Sequence, residues 1–274
     1  MSLAINNEFQ QAPWQSNIPA TPSTTQWGTR LTASGTPHAK GSYSTLATAT
    51  YDVFGFWLGI NGTTTSATRT DGMIDIAIGG AGSEQVILPE FLCGWRNVAT
   101  IGPQVVFIPI FIPRGTVIRG RMQALIASDT VDVMLFLNGG GSALPGPLFS
   151  GADAYGTSAA SSIGTSHTPG NTGAESTAAN IGSTLSKHYG AVMLQVQGSL
   201  ATTTMTAIAY HWELQVGSTT VTEWYSCSNT TEAVQGPYPP APFFASLPSG
   251  SQLQVRAEGS GTSIAHDVAF YCFY

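Results

Sequence analysis

Alternation of hydrophobic and polar residues with a period of two runs through most of the chain. It is clearest in "MIDIAI" at 73–78, "WELQV" at 212–216 and "LQVRA" at 253–257. In a β-strand such alternation places one side chain in a core and the next outside it. Turn sequences such as "GING", "PRGT", "NGGG" and "PSGS" recur at short intervals, and no long segment has helical spacing. The pattern predicts an all-β protein of many short strands, arranged as a sandwich or barrel.

The hydrophobic pattern occurs twice along the chain. The stretch "IPRGTVIRGRMQALIASDTVDVMLFL" aligns without a gap on "LPSGSQLQVRAEGSGTSIAHDVAFYC", and two earlier blocks repeat in the same order. Length changes between the copies fall in turn-rich intervals, so the repeat predicts an internal duplication in which each copy is a complete domain. The three pairs of blocks are 27–41 with 155–170, 55–79 with 193–217, and 112–137 with 247–272.

The duplication divides the chain into four parts. Residues 27–137 and 153–274 are predicted to form one β-sandwich domain each, joined by a Gly- and Pro-rich linker at 138–152. Residues 1–26 have no counterpart in the second copy and are rich in Pro, Gln, Ser and Thr, so they predict an extended N-terminal arm. We expect this arm to lie outside both sandwiches and to contact a neighbouring subunit.

A Pro-x-Gly signature marks the same turn in both copies. Pro113 aligns with Pro248, and Gly115 aligns with Gly250. Proline fixes φ at the first central position of a β-turn, and glycine supplies a positive φ at the next one. These four residues are therefore predicted to define the turn that precedes a strand in each domain.

Repeated charged residues follow this turn. Arg121 aligns with Arg256 and Asp132 with Asp267, each on the polar side of an alternating stretch. Two such stretches separated by a short turn predict a hairpin, in which the Arg and the Asp of each copy form a structural ion pair across the ladder. A duplicated active site is the alternative interpretation of the same residues.

The composition narrows the range of partners. Only 9% of the residues are charged, against about a quarter in an average soluble protein, and such a surface suits a protein packed against other proteins. The net charge of −6 argues against nucleic acid as a partner, because nucleic acid needs a basic surface. No apolar run reaches the roughly 20 residues that span a bilayer, and the N-terminus lacks the pattern of a secretory signal. No membrane partner is expected.

No combination of residues predicts catalysis, a cofactor or a metal site. The sequence lacks the motifs of nucleophilic, zinc-dependent and nucleotide-dependent chemistry. His38 and His167 recur in similar contexts, one per copy, and are predicted to make structural polar contacts. The three cysteines show no metal-binding spacing and are predicted to be free, buried thiols. They are Cys93, Cys227 and Cys272, and the acidic residues that lack the dense spacing of a calcium loop are Asp71, Asp75, Glu84 and Glu90.

The stretch "VVFIPIFIPRGTVIRGRMQA" at 105–124 resembles structural proteins of tailed bacteriophages. The shared pattern is an apolar strand, then Ile-Pro-x-Gly-Thr/Ser-x-Ile, then a short basic strand, within a chain rich in Gly, Ala and Thr. The second copy departs from the "FIPIF" run and reads "PFFAS". The resemblance implies a β-sandwich of the jelly-roll type on the virion, and it carries over no catalytic or binding residue.

Together these observations predict a non-enzymatic virion structural protein that decorates or cements the capsid surface. The expected partners are other virion proteins, either major capsid or tail proteins, and further copies of the chain, which is made in the host cytoplasm. Duplication lets one chain present two similar docking faces. The alternative is a host-surface or glycan-binding module of a tail fibre or spike. That alternative requires aromatic and polar groups clustered in an exposed groove, to which the six tryptophans would contribute unless they belong to the core.

Overall fold

All regular secondary structure in the described residues is β-strand. Eighteen strands form four antiparallel sheets, so the prediction of an all-β fold is confirmed. The described ranges hold no helix of the length and hydropathy that crossing a membrane would need. The computed structural model describes residues 14–18, 27–62, 71–93, 104–139, 148–198, 208–228, 241–261 and 265–274.

Nine strands in two sheets build the first half of the chain. They are β1 (Trp14–Ser16), β2 (Thr29–Thr32), β3 (Ser44–Thr48), β4 (Val53–Gly62), β5 (Gly72–Ile78), β6 (Gln85–Leu92), β7 (Gln104–Ile108), β8 (Val117–Ala124) and β9 (Thr130–Gly139). In one sheet β9, β4 and β7 lie side by side, and β1 and β2 both pair along β9. The other sheet has the order β3-β8-β5-β6.

The second half repeats this arrangement with nine further strands. They are β10 (Ala152–Tyr155), β11 (Thr165–His167), β12 (Ala179–Asn180), β13 (Tyr189–Gly198), β14 (Ile208–Val216), β15 (Thr219–Ser228), β16 (Phe243–Leu247), β17 (Leu253–Gly259) and β18 (His266–Phe273). Here β18, β13 and β16 lie side by side with β10 and β11 along β18, and the other sheet has the order β12-β17-β14-β15. Each strand of the first half therefore has one counterpart, from β1 and β10 to β9 and β18.

This strand order is that of a jelly roll, a two-sheet sandwich in which the chain passes repeatedly from one sheet to the other. The fold is thus two tandem jelly rolls related by an internal duplication, as predicted. The register differs from the sequence alignment in two places. In β2 and β11, Leu31 and not His38 corresponds to His167, and β4 and β13 are shifted by two residues. The offset between copies is 138 for Asp75 and Glu213 in β5 and β14, but 136 for Ile60 and Val196 in β4 and β13. A shift by two residues keeps every side chain on the same face, so the alternating pattern does not reveal it.

The two cores are built from the inward-facing residues of the alternating stretches. Ile118 and Met122 of β8 and Leu253 and Val255 of β17 are buried between the sheets of their own jelly rolls. Full burial of an aliphatic side chain of this size contributes roughly 1.5–3 kcal/mol. Their polar neighbours along each strand point away from the core, as the pattern predicts.

The turn glycines have the predicted backbone conformation. φ is 83° at Gly115 and 82° at Gly250. In each turn the amide that follows the glycine donates to the carbonyl of the proline over 3.2 Å. Pro113 and Pro248 are therefore the first residue of each turn, and not the second as predicted, while the glycine is the third residue, where a positive φ is required.

The hairpin predicted after this turn does not form. β8 and β9 belong to opposite sheets, and so do β17 and β18. Between β8 and β9 the chain crosses from one sheet to the other, and there the Leu125 amide donates to the Asp71 carbonyl over 2.9 Å. Because both sheets face one core, the strands of a crossover alternate in the same way as those of a hairpin. Alternation alone therefore does not distinguish the two.

The described part of the N-terminal arm belongs to the first jelly roll. β1 pairs with β9, and the Asn17 side chain donates to Val133 O over 2.9 Å and accepts from Leu135 N over 2.8 Å. The arm is extended, but the expectation that it lies outside both sandwiches is wrong for residues 14–18. The segment is the counterpart of β10 and satisfies backbone groups along β9 that would otherwise be unpaired.

Other parts of the arm and linker fall outside the described residues. These are 1–13 and 19–26 in the arm and 140–147 in the linker. The contact between the arm and a neighbouring subunit stays a prediction. The described ends of the linker belong to the jelly rolls, because β9 continues to Gly139 and β10 begins at Ala152.

Candidate functional site

A buried interface joins the two jelly rolls. The outer face of the sheet that contains β10, β13 and β18 packs against β6, the edge strand of the first jelly roll. Outward-pointing side chains of β13 and β18 belong to the same apolar cluster as the first core. The buried residues that form this contact are Ala191, Met193, Ala269, Tyr271 and Phe273. The two halves therefore pack as one unit.

Tyr271 anchors the interface to the backbone of β6. Its hydroxyl donates to Glu90 O over 2.7 Å and accepts from Leu92 N over 2.8 Å, and its ring lies 4.9 Å from that of Phe91. Glu90 has a φ of 48° at a point where the register of β6 against β5 is interrupted, so these backbone groups bond outside the ladder. Burial raises the pKa of Tyr271 well above its usual value, which keeps the hydroxyl a hydrogen-bond donor.

A cluster of charged residues lies beside this contact. Asp75 accepts from Arg121 Nε over 2.8 Å, from Lys40 Nζ over 3.0 Å and from the Glu90 amide over 2.8 Å. Lys40 Nζ also lies 3.2 Å from a carboxylate oxygen of Glu90, and Thr157 of the second jelly roll donates to the other oxygen over 2.7 Å. We call these five residues the junction cluster. Because the Asp75 carboxylate is buried, its charge needs such compensation.

A loop of the second jelly roll extends the polar contact. The loop between β10 and β11 lies over the outer face of β8, where Gln123 Nε2 donates to Ala159 O over 2.8 Å and to Ser162 Oγ over 3.2 Å. His38 Nδ1 lies 3.2 Å from the same Ser162 hydroxyl. The junction therefore combines an apolar contact with hydrogen bonds along one continuous face.

The ion pair predicted between Arg121 and Asp132 in the first copy does not form, because each residue has another partner. Arg121 pairs with Asp75, and Asp132 accepts from Arg30 Nε over 3.0 Å and from the Trp27 amide over 3.0 Å. Arg121 and Asp132 lie on the outer faces of opposite sheets, with the core between them, because β8 and β9 form a crossover.

The predicted pair of the second copy is wrong for the same reason. Arg256 lies on the outer face of β17 and pairs with Glu175 and with Glu213. Asp267 is buried on the outer face of β18, in the opposite sheet, where it faces Ser166 and Gln197 across the ladder.

The charge pair that the duplication does repeat joins β5 to β8 and β14 to β17. Asp75 is the direct cross-strand neighbour of Arg121, as Glu213 is of Arg256. The sequence held the signal, because the repeat aligns Asp75 with Glu213. The sequence did not predict the contact between Glu90 and Tyr271. This contact joins the two halves, and neither copy contains a counterpart of it.

Both recurring histidines make polar contacts but are not equivalent. His38 bonds to Ser162 in the interface, whereas His167 Nε2 lies 2.9 Å from Ser176 Oγ within the second jelly roll. The residue of the first jelly roll that corresponds to His167 is Leu31. Leu31 pairs with β9 at the position where His167 pairs with β18.

A patch of exposed apolar side chains crosses the junction. Phe111 follows β7, Leu148 precedes β10, and Phe244 lies in β16 opposite Ala191 of the junction; all three are exposed. Their backbone segments meet at Phe149, whose carbonyl accepts from the Phe111 amide and whose ring lies 6.1 Å from that of Phe244. We call the three exposed residues the junction patch. A contiguous apolar surface of this kind marks an interaction site more often than single exposed residues do.

Metal-binding groups and reactive cysteines are two further kinds of candidate site. Within the described ranges no group of three or more His, Cys, Asp and Glu residues is placed to hold a metal ion. Cys93 and Cys272 are free and buried, and burial raises the pKa of both thiols, which keeps them unreactive. The Cys227 side chain lies outside the described residues.

The class of protein that this geometry defines is a tandem double jelly roll with a buried junction. No protein-family model and no curated protein matches the sequence. Similar solved structures include PNGF-II, with a TM-score of 0.39, 9% identity and coverage of 96% of this chain and 65% of that one. They also include STIV MCP, with a TM-score of 0.33, 9% identity and coverage of 95% and 96%.

A third similar structure is the CBM22-1–CBM22-2 tandem domain of Paenibacillus barcinonensis Xyn10C, with a TM-score of 0.26, 12% identity and coverage of 96% and 92%. This chain spans slightly less than two thirds of the length of PNGF-II. TM-scores this low carry no argument, so the assignment of the fold depends on the strand order of the chain itself.

Proposed function

We propose that this protein is a non-enzymatic structural protein of a tailed-bacteriophage virion, which decorates or cements the capsid surface. The observation that carries the proposal is the junction patch. Phe111, Leu148 and Phe244 expose aromatic and aliphatic surface at the point where the two jelly rolls meet. An apolar surface of this kind is suited to burial against another protein.

The rest of the molecule supports a structural role. The junction cluster and Tyr271 hold the two jelly rolls in one arrangement, so the junction patch is presented as a pre-organised surface. Pre-organisation reduces the entropy that is lost on docking. The low content of charged residues, 9%, suits a surface that is largely covered in an assembly.

A sedimentation experiment tests this proposal. Particles from a genome that lacks the gene are mixed with the full recombinant chain and pelleted. We expect saturable binding to the particles, weakened at least about tenfold by Phe244→Ser, which removes an interface aromatic residue. Ile126→Ser, at an exposed position in the turn after β8, is the matched control and should bind as the wild type does. Absence of binding, or equal binding by both variants, would contradict the proposal.

The alternative of a glycan-binding module has one specific observation in its favour. Tyr225 is 61% exposed, its ring stacks 4.9 Å from that of His211, and His211 Nε2 lies 3.2 Å from the Glu223 carboxylate. Aromatic rings beside polar groups are suited to sugar binding. Binding of the wild type but not of Tyr225→Ala to an array of bacterial surface glycans would favour this alternative, and absence of binding would exclude it for the glycans on the array.

A further inference from the structure

An apolar cleft lies inside the second jelly roll, between β15 and β16. Each of these strands is the last in the order of its sheet, so the cleft is at the edge of the sandwich. It has a volume of about 110 Å³. Of the described residues that line it, Val192, Leu194 and Leu214 are buried core residues. Trp224 and Phe243 also line it, and Phe243 is exposed. We call this space the edge cleft; it extends from the core to the surface.

The duplication explains why there is space at this point. Val192 lies opposite Cys272 in the ladder of β13 and β18, and the same position of the first jelly roll has Phe56 opposite Leu137. Phe56 and Leu137 are fully buried. The second jelly roll therefore has a smaller side chain on each of the two strands beside the edge cleft.

A third smaller side chain lies across the core, in the opposite sheet. Thr222 lines the edge cleft and pairs with Leu214, whereas its counterpart Leu88 pairs with Ile76. The register of both ladders shifts directly after these pairs, so the positions are equivalent. Leu88 is fully buried and Thr222 is half-buried. Since protein cores are normally close-packed, three smaller side chains around one point indicate a built space.

We propose that the edge cleft binds a neutral compound with a single aromatic ring, about the size of phenol. Its volume approaches the roughly 150 Å³ of an engineered apolar cavity that takes up benzene in another protein. The rings of Trp224 and Phe243 provide aromatic contacts, and Thr222 adds a hydroxyl group to the lining. Glu223 is a further lining residue, and its negative charge disfavours an anionic ligand.

The chemistry of the lining favours such a ligand over water. A bound water molecule needs roughly two to four polar partners, and the buried part of the edge cleft consists of aliphatic side chains. An aromatic ring in the cleft is removed from water and contacts these side chains, which favours binding. The inference goes beyond the proposed function, because binding of the compound needs neither a particle nor a second protein.

Isothermal titration calorimetry of the full chain with phenol tests the inference. We expect saturable binding to the wild type with a Kd of about 0.1–1 mM, as for a ligand of so few atoms. Val192→Phe and Thr222→Leu each introduce the residue of the first jelly roll, fill the edge cleft and should raise Kd at least about tenfold. The matched control is Thr219→Leu, which makes the same exchange at an exposed position of β15 and should bind as the wild type does.

Two further compounds test the class of ligand. Cyclohexanol has nearly the size of phenol but no aromatic ring, and benzoate has the ring together with a negative charge. Both should bind at least about threefold more weakly than phenol, because the first lacks the ring contacts and the second is repelled by Glu223. Equal binding of either compound would overturn the assignment of a neutral aromatic ligand.

A crystal of the wild type soaked with bromobenzene locates the site without any variant, and we expect anomalous scattering from bromine between β15 and β16. Circular dichroism establishes that each variant is folded. A wild type that does not bind phenol overturns the inference, as do folded filling variants that bind as the wild type does, or bromine found only elsewhere. Failure of the chain to bind particles leaves these results unaffected, so the two proposals fail separately.

Discussion

The Asp75 carboxylate shows how a single residue holds the two jelly rolls together. It is buried, and it balances the positive charges of Lys40 and Arg121. It also accepts a hydrogen bond from the Glu90 amide. Glu90 then extends the cluster to Thr157 of the second jelly roll. A change at this carboxylate therefore affects both the outer face of one jelly roll and its contact with the other.

Asp75→Asn should lower the free energy of unfolding by about 3 kcal/mol, because it removes the carboxylate partner of the partly buried Arg121 and leaves Lys40 with Glu90 alone. The matched control is Glu213→Gln at the equivalent position. Arg256 keeps Glu175 as a partner there and is more exposed, so the expected loss is about 0–1 kcal/mol. Urea unfolding measures both values, and equal losses would contradict the importance assigned to the junction cluster.

Tyr271→Phe should destabilise the protein by about 1–3 kcal/mol, because it leaves the Glu90 carbonyl and the Leu92 amide buried without a partner. The exposed hydroxyl of Tyr225 provides the comparison, and Tyr225→Phe should leave stability unchanged. The same unfolding measurement applies to both variants. A neutral Tyr271→Phe would mean that the anchor at the junction lies elsewhere.

Protonation of His167 should destabilise the fold at low pH. Burial lowers its pKa from 6.5 to about 4, so the unfolded chain binds this proton at a higher pH than the folded chain does. The stability is complete above about pH 6.5 and is lost as the pH falls towards 4, by up to about 3 kcal/mol. His167→Leu, which introduces the residue found at the equivalent position in the first jelly roll, should remove this share of the pH dependence. The free energy of unfolding is measured against pH for the wild type and for His167→Leu. Parallel curves would contradict this prediction.

At the scale of the element, the sequence predicts strands better than it predicts their partners. Alternation identifies β8 and β17 together with their inward residues, because each strand must present one apolar face to a core. It does not specify the sheet to which a strand belongs, since the two sheets of a sandwich face the same core. The hairpin and both Arg–Asp pairs were wrong for this reason. The junction patch and Tyr271 were also beyond reach, because their environment arises only when the two halves pack together.

The repeated turn provides a prediction at this scale. Gly250→Ala and Gly115→Ala should each lower the free energy of unfolding by about 1–2 kcal/mol, since both residues have a positive φ that an alanine adopts with strain. Neither glycine has an atom within 4 Å of the place where a Cβ would lie, so the cost comes from the backbone alone. Gly35 is equally open but lacks a positive φ, and Gly35→Ala should be neutral. Thermal unfolding of the three variants checks this, and a neutral Gly250→Ala would contradict it.

At the scale of the whole molecule, the duplication produces two jelly rolls that pack against each other. The internal interface buries one face of each jelly roll. The junction patch is a further apolar surface that only the paired arrangement creates. A molecule with an exposed apolar surface and little charge is suited to an assembly, and this is the basis of the proposed place on the virion.

Immunogold labelling of purified virions tests that place most directly. Antibodies against the recombinant chain are applied to intact particles, and particles from a genome that lacks the gene serve as the control. The proposed function predicts gold distributed over the outer surface of the head in normal particles and none in the control. Gold confined to the tail or its fibres, or no gold on any particle, would contradict a role in decorating or cementing the capsid.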